Sequence, residues 1–209
     1  MDLIANLNPT SSTQWVFLSF LIILAYITIV KFYFSNQFSL ILRSSYSKKF
    51  SNQYLRDETN SKYKLYLLPV FILSLSLFLS FQDPSLIFFV KCIFWISFYL
   101  VIKYFILIFL ANIFEKQYLY EEIIFQSFLY EKVVGVVLFP LTMVLFYGSI
   151  KADFIVKFIT IFLIFSLLYK WLRILYLSFF NSSLSKAHII IYLCTFEILP
   201  ITVIIKHLY

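Results

Sequence analysis

The sequence predicts an all-α fold: a polytopic bundle of about six transmembrane helices with amphipathic helices on its cytoplasmic side. Three observations carry this. Of 209 residues, 62% are hydrophobic and 13% charged, and the mean hydropathy is +0.92, more apolar than a soluble core of this size requires. The apolar residues fall into six runs that approach or exceed the length needed to cross a hydrocarbon core of roughly 30 Å. The bases gather on alternate connections, the pattern of positive-inside topology.

Met1 to Gln14 is polar and has no basic region ahead of the first apolar run, unlike a cleaved signal peptide. The first span is expected at about 15–34, with Ser12 or Thr13 as its cap and Trp15 as an interface anchor. The segment 35–65 then carries Arg43, Lys48, Lys49, Arg56, Lys62 and Lys64 against Asp57 and Glu58, so it is assigned to the cytoplasm. Phe38, Ile41, Leu42, Tyr46, Phe50 and Tyr54 recur among its polar residues, which predicts one or two helices lying on the inner leaflet. Arg43, Lys48, Lys49 and Arg56 are the candidate contacts for anionic lipid or a protein partner; the plainer reading is a topology signal resting on headgroups.

The second span, about 66–81, is dotted with Ser74, Ser76 and Ser80 and has Pro69 in its opening turn; Asp83-Pro84 makes a tight outer turn. The third, about 86–112, is too long for a perpendicular crossing and must tilt or protrude. It contains Lys103. A second cytoplasmic amphipathic segment is expected at 114–132, where Glu115, Glu121, Glu122 and Glu131 outnumber Lys116 and Lys132. That balance disfavours an anionic leaflet and points to docking on the basic first loop or on another protein, with Glu121 and Glu122 as contacts. Adjacent positions on a helix do not face each other, so these two acids do not form an acid/base dyad.

The fourth span, about 133–147, has Pro140 at its middle, and the fifth follows at about 154–176. The sixth, 188–206, places Glu197 and Pro200 inside the run Tyr192-Leu193-Cys194-Thr195-Phe196-Glu197-Ile198-Leu199-Pro200. An ionised carboxylate at that depth costs several kcal/mol unless it is paired, hydrated or protonated. Pro200 cannot donate to the Phe196 carbonyl, so Pro140 and Pro200 are the expected kinks. Glu197 lies nine residues from His188 and Lys103 nine residues from Asn112, so the two match in depth. They are the candidate intramembrane pair, functional or structural. The competing reading has Lys103 snorkelling to the headgroups and Glu197 protonated and hydrogen-bonded as a packing residue.

Most bases fall on the inner side in this topology, with both termini outside, so the net charge of +7 needs no nucleic acid. Cys92 and Cys194 differ too much in depth for a disulfide, and His188 and His207 sit at opposite ends of one span; no metal and no cofactor is expected. Gly135 and Gly148 are the only glycines. Without a GxxxG contact, the helices are expected to pack through Ser, Thr, Ala and aromatics rather than by close backbone approach.

The Glu197 run, Gly135-Val136-Val137-Leu138-Phe139-Pro140 and Ser51-Asn52-Gln53-Tyr54-Leu55-Arg56-Asp57-Glu58 together resemble the Bacteroidota integral-membrane family catalogued as domain of unknown function 4271. The resemblance spans about Trp15 to Lys206 and is most specific at the C-terminal run. It implies a Gram-negative inner-membrane protein and marks Glu197, Pro200, Cys194, Gly135, Pro140 and Arg56 by matching position, without assigning them roles.

Three functions compete on this reading. A non-enzymatic subunit or scaffold of a membrane complex fits the small outer loops, the two cytoplasmic segments and the lack of catalytic signatures. A small proton-coupled transporter would use Glu197, with Lys103, beside the two proline kinks. An intramembrane enzyme ranks last, because there is no G-x-S-x-G, no H-E-x-x-H and no phosphate-binding glycine loop.

Overall fold

A computed structural model describes residues 13–44, 66–113, 117–149 and 151–181, and every element among them is helical. In chain order these are α1 (Thr13–Tyr33), α2 (Ser35–Ser44), α3 (Leu68–Leu79), α4 (Leu86–Ile113), α5 (Gln117–Tyr147) and α6 (Ala152–Asn181). Four stretches are long and apolar enough to cross a membrane: Gln14–Tyr33, Leu86–Phe109, Ile124–Tyr147 and Ala152–Ile174. The chain is an α-helical membrane protein by this measure. Helix α3, at 12 residues, is shorter than a usual crossing. The sixth expected span, 188–206, lies outside the described residues.

The helix starts follow local chemistry. Pro69 sits in the first turn of α3, where its missing N–H leaves no hydrogen bond unmade. Ser85 caps α4: its hydroxyl accepts from the Phe88 N–H at 3.3 Å, and its own N–H donates to the Asp83 carbonyl at 2.8 Å across the turn after Asp83. Asp153, in the first turn of α6, pairs with Lys157 at 2.9 Å on the surface.

Two expectations change here. The expected boundary at 132/133 between the segment 114–132 and the fourth span does not interrupt the helix: α5 runs unbroken from Gln117 to Tyr147. Glu131 and Lys132, the two charged residues within 126–132, are buried in the protein. Helix α2 is amphipathic as expected, but Ile41 and Ser44 are buried while Ser35, Asn36 and Ser39 face outward. Part of its inward face is covered by the protein itself.

The chain divides into two compact units, one of Met1–Leu100 with Phe128–Ile159 and one of Val101–Ser127 with Thr160–Tyr209. In the first, α1 runs antiparallel to α3. Its Phe20 meets Phe139, Phe146 and Tyr147, while the Tyr26 hydroxyl donates to the Tyr66 carbonyl at 2.6 Å and Phe34 stacks on the Tyr66 ring at 4.6 Å. Helix α5 crosses α3 at Gly135, where a Cβ would lie 2.5 Å from the Phe71 Cα. This corrects the expectation that the chain packs without close backbone approach. A single glycine is enough when the crossing is made at one point.

Candidate functional site

The two contacts between α3 and α5 fix how the first unit's polar residues are placed. Phe71 abuts Gly135, and beyond the end of α3 the Phe81 ring meets Phe146 edge-on at 5.3 Å. Similar separations along both segments mean that α3 and α5 run parallel and in register. Glu131 is four residues before Gly135 and therefore on the same face of α5. It is level with Leu67, at the opening of α3. That end carries orphan backbone N–H groups and has no side-chain cap. A carboxylate at this level complements the positive end of the helix dipole, and Glu131 is 7% exposed.

Further along α3, Ser74, Ser76 and Ser80 are fully buried. Ser76 and Ser80 return their hydroxyls to the carbonyls of Ile72 and Leu77, at 2.7 and 3.0 Å, and Thr142 on α5 does the same to Phe139 at 2.8 Å. Such back-bonding lets a helix carry hydroxyls through an apolar interior. The Ser74 hydroxyl is buried without a hydrogen-bond partner.

The second unit gathers the carboxyl-terminal half of α4, the amino-terminal part of α5 and the carboxyl-terminal part of α6. Each contributes polar side chains to its interior: Lys103 from α4, Gln126 and Ser127 from α5, Lys170 from α6. Lys103 is 1% exposed and Lys170 2% exposed, both within apolar windows of their helices. Lys103 shares a face with buried Leu107, and Lys170 with buried Ile174, each four residues on. Two buried ammonium groups in one compact unit are costly and mark function in membrane helices more often than they mark stability.

Of the residues singled out from sequence, Lys103 is buried within the protein. Pro140 lies inside α5 and is exposed, and the helix continues through it. Cys92 is a buried free thiol. Arg43 is on α2, and Glu121 and Glu122 are in the first turns of α5, where the structure describes only the backbone course. Glu197, Pro200, Cys194, Lys48, Lys49 and Arg56 lie outside the described residues. Among the described residues, no three of His, Cys, Asp and Glu come together as a metal site would require.

Sequence reasoning missed Gln126, Ser127 and Lys170 and misassigned Glu131 and Lys132. From sequence, Lys170 and Arg173 read as bases marking the inner end of the fifth span. A usable signal was present: Gln126 and Ser127 sit between apolar neighbours on both sides, and Lys170 falls in phase with Ile174.

Compared with known proteins, the chain matches the family model described as Domain of unknown function (DUF4271) over residues 16–208, and it belongs to that family. No curated protein and no solved structure matches it.

Proposed function

We propose that this DUF4271 family member is a multi-pass inner-membrane protein, with both termini in the periplasm, that works as a small proton-coupled carrier. The observation that carries the reading is Lys103, an ammonium group buried within a membrane-length apolar helix, in the same unit as buried Lys170, Gln126 and Ser127. Charged and polar side chains sheltered from lipid are the usual lining of ion and substrate pathways. In this reading Glu197 supplies the exchangeable proton and Lys103 is its partner.

The test is reconstitution into proteoliposomes with a trapped pH-sensitive dye, scanning small solutes for proton movement that follows a solute gradient. Solute-dependent flux that is lost in Lys103→Met and Glu197→Gln, with both variants still monodisperse, is the expected result. Flux that is unchanged in both variants would remove these residues from the path.

A second reading, a non-enzymatic subunit or scaffold, is favoured by the outer face of α4. There Phe94, Trp95 and Phe98 are exposed and in mutual ring contact, with centroids 6.1–6.2 Å apart. Such a face fits either lipid or a neighbouring helix, and the basic Arg43, Lys48, Lys49 and Arg56 add a docking or headgroup surface. Stoichiometric co-purification of a second protein from native membranes, abolished by Trp95→Ala with Phe98→Ala, would establish that reading over the first.

A further inference from the structure

We propose that the outward face of α4 binds an anionic phospholipid, the Lys91 ammonium taking the headgroup phosphate and the rings of Phe94, Trp95 and Phe98 taking an acyl chain.

The sequence sets the arrangement. The apolar window Leu86–Phe109 contains two charged residues, and they have opposite fates: Lys103 is buried, whereas Lys91 is exposed. Phe94, Trp95 and Phe98 follow Lys91 by three, four and seven residues, so all four share one face of the helix. The three rings are exposed and in mutual contact, with centroids 6.1–6.2 Å apart. A single base stands one turn from an apolar ledge.

Depth identifies the part of the lipid that each group meets. Lys91 is five residues inside the window and Trp95 nine, about 8 and 14 Å at 1.5 Å per residue. The Trp15 ring, at the start of α1, has its centroid 5.1 Å from that of Phe89, which puts an interface-type residue two positions, about 3 Å of depth, from the level of Lys91. Side chains of a helix lean toward its amino terminus, so the lysine stem runs to that same surface and carries its charge to phosphate depth. Trp95 is placed differently. Tryptophan usually sits at the interface, and here it is 64% exposed near the middle of a roughly 30 Å hydrocarbon core. A ring at that level meets acyl chain.

Charge also decides between occupants. A second copy of the chain, packed on this face about a two-fold axis along the membrane normal, would set Lys91 against Lys91 at one depth, which like charges oppose. A different helix would have to bring an acid to an apolar level. An anionic phospholipid supplies the negative charge at the surface and the apolar chain beneath it in one molecule.

Trp95 is its own reporter. The full chain carrying Trp15→Phe and Trp171→Phe keeps Trp95 as its one tryptophan. It is reconstituted in vesicles of brominated phosphatidylcholine, which quenches indole fluorescence, and unbrominated phosphatidylglycerol or phosphatidylcholine is titrated in; the relief of quenching gives the relative affinity of the face for each lipid. Phosphatidylglycerol is expected to be favoured roughly fivefold, and Lys91→Met to bring the two lipids to parity. No preference in the parent, or the same preference in Lys91→Met, overturns the site. Trp95 fluorescence that brominated lipid does not quench also overturns it, in favour of a protein helix on this face.

If the tryptophan-reduced chain does not fold, native mass spectrometry carries the test. The natural chain, Lys91→Met and Lys157→Met, the last altered at an exposed position on α6, are each mixed with equimolar phosphatidylglycerol and phosphatidylcholine in detergent. Bound phosphatidylglycerol that drops in Lys91→Met alone supports the site, and equal retention in the two variants overturns it.

Discussion

Helices α4 and α5 are neighbours in the chain and similar in length, yet only 17% of the apolar window of α4 is buried within the protein against 67% of that of α5. The difference follows from what each helix carries. Helix α4 turns Phe94, Trp95, Phe98, Phe105 and Phe109 outward, and lipid accepts them at no cost. Helix α5 holds Gln126, Ser127, Glu131, Lys132, Gly135 and Thr142, which lipid would penalise on nearly every side. The less apolar helix therefore takes the interior. In water the hydrophobic effect would sort them the other way.

The sharpest way to break the comparison is at Gly135. A side chain there meets the Phe71 backbone, which cannot move aside as a flexible side chain would. Gly135→Val is expected to cost more than about 3 kcal/mol, seen as loss of the monodisperse peak in fluorescence-detected size exclusion. Phe98→Leu on the outer face of α4 should change the melting temperature little, within about 0.5 kcal/mol. Equal sensitivity at the two positions would mean that α4 is covered by something other than lipid.

Next comes the buried lysine. Lys103→Met should cost about 1–3 kcal/mol through the groups it leaves unmatched. If Glu197 is its partner, Glu197→Gln combined with Lys103→Met costs less than the sum of the two single changes, and strict additivity dissolves the pair. Removing the Tyr26 hydroxyl, which donates to the Tyr66 carbonyl at 2.6 Å, should cost about 0.5–1.5 kcal/mol in Tyr26→Phe. Replacing Glu131 by Gln should cost about 0.3–2 kcal/mol if its charge supports the start of α3. The smallest effect belongs to the exposed Asp153–Lys157 pair, about 0.3–0.5 kcal/mol in low salt and less in high.

The helical membrane class, the turn after Asp83 and four of the spans were readable from hydropathy and turn residues, because those signals are local. The interior was not. Glu131 and Lys132 look like a cytoplasmic charge pair when the sequence is read against water and lipid alone. Nothing in their spacing says that neighbouring helices will cover them. Lys103 was legible because its neighbours are apolar on both sides. Lys170, near a span end and three residues before Arg173, looked like an ordinary interface base. The Gly135 crossing escaped notice because the search for close approach looked for a glycine repeat, and a crossing at one point leaves no repeat.

The pairing of α3 with α5 also bears on how the protein is made. Helix α3 emerges from the ribosome some 55 residues before Gly135. At roughly 5–20 residues per second, this short serine-bearing helix waits about 3 to 11 s for the surface that will bury it. During that interval Ser74, Ser76 and Ser80 face the translocon, a chaperone or bare lipid. Biogenesis of this chain should therefore depend on the insertion machinery holding an early, marginal segment until a later one arrives. Slowing translation between α3 and α5 would lower yield without altering the finished fold.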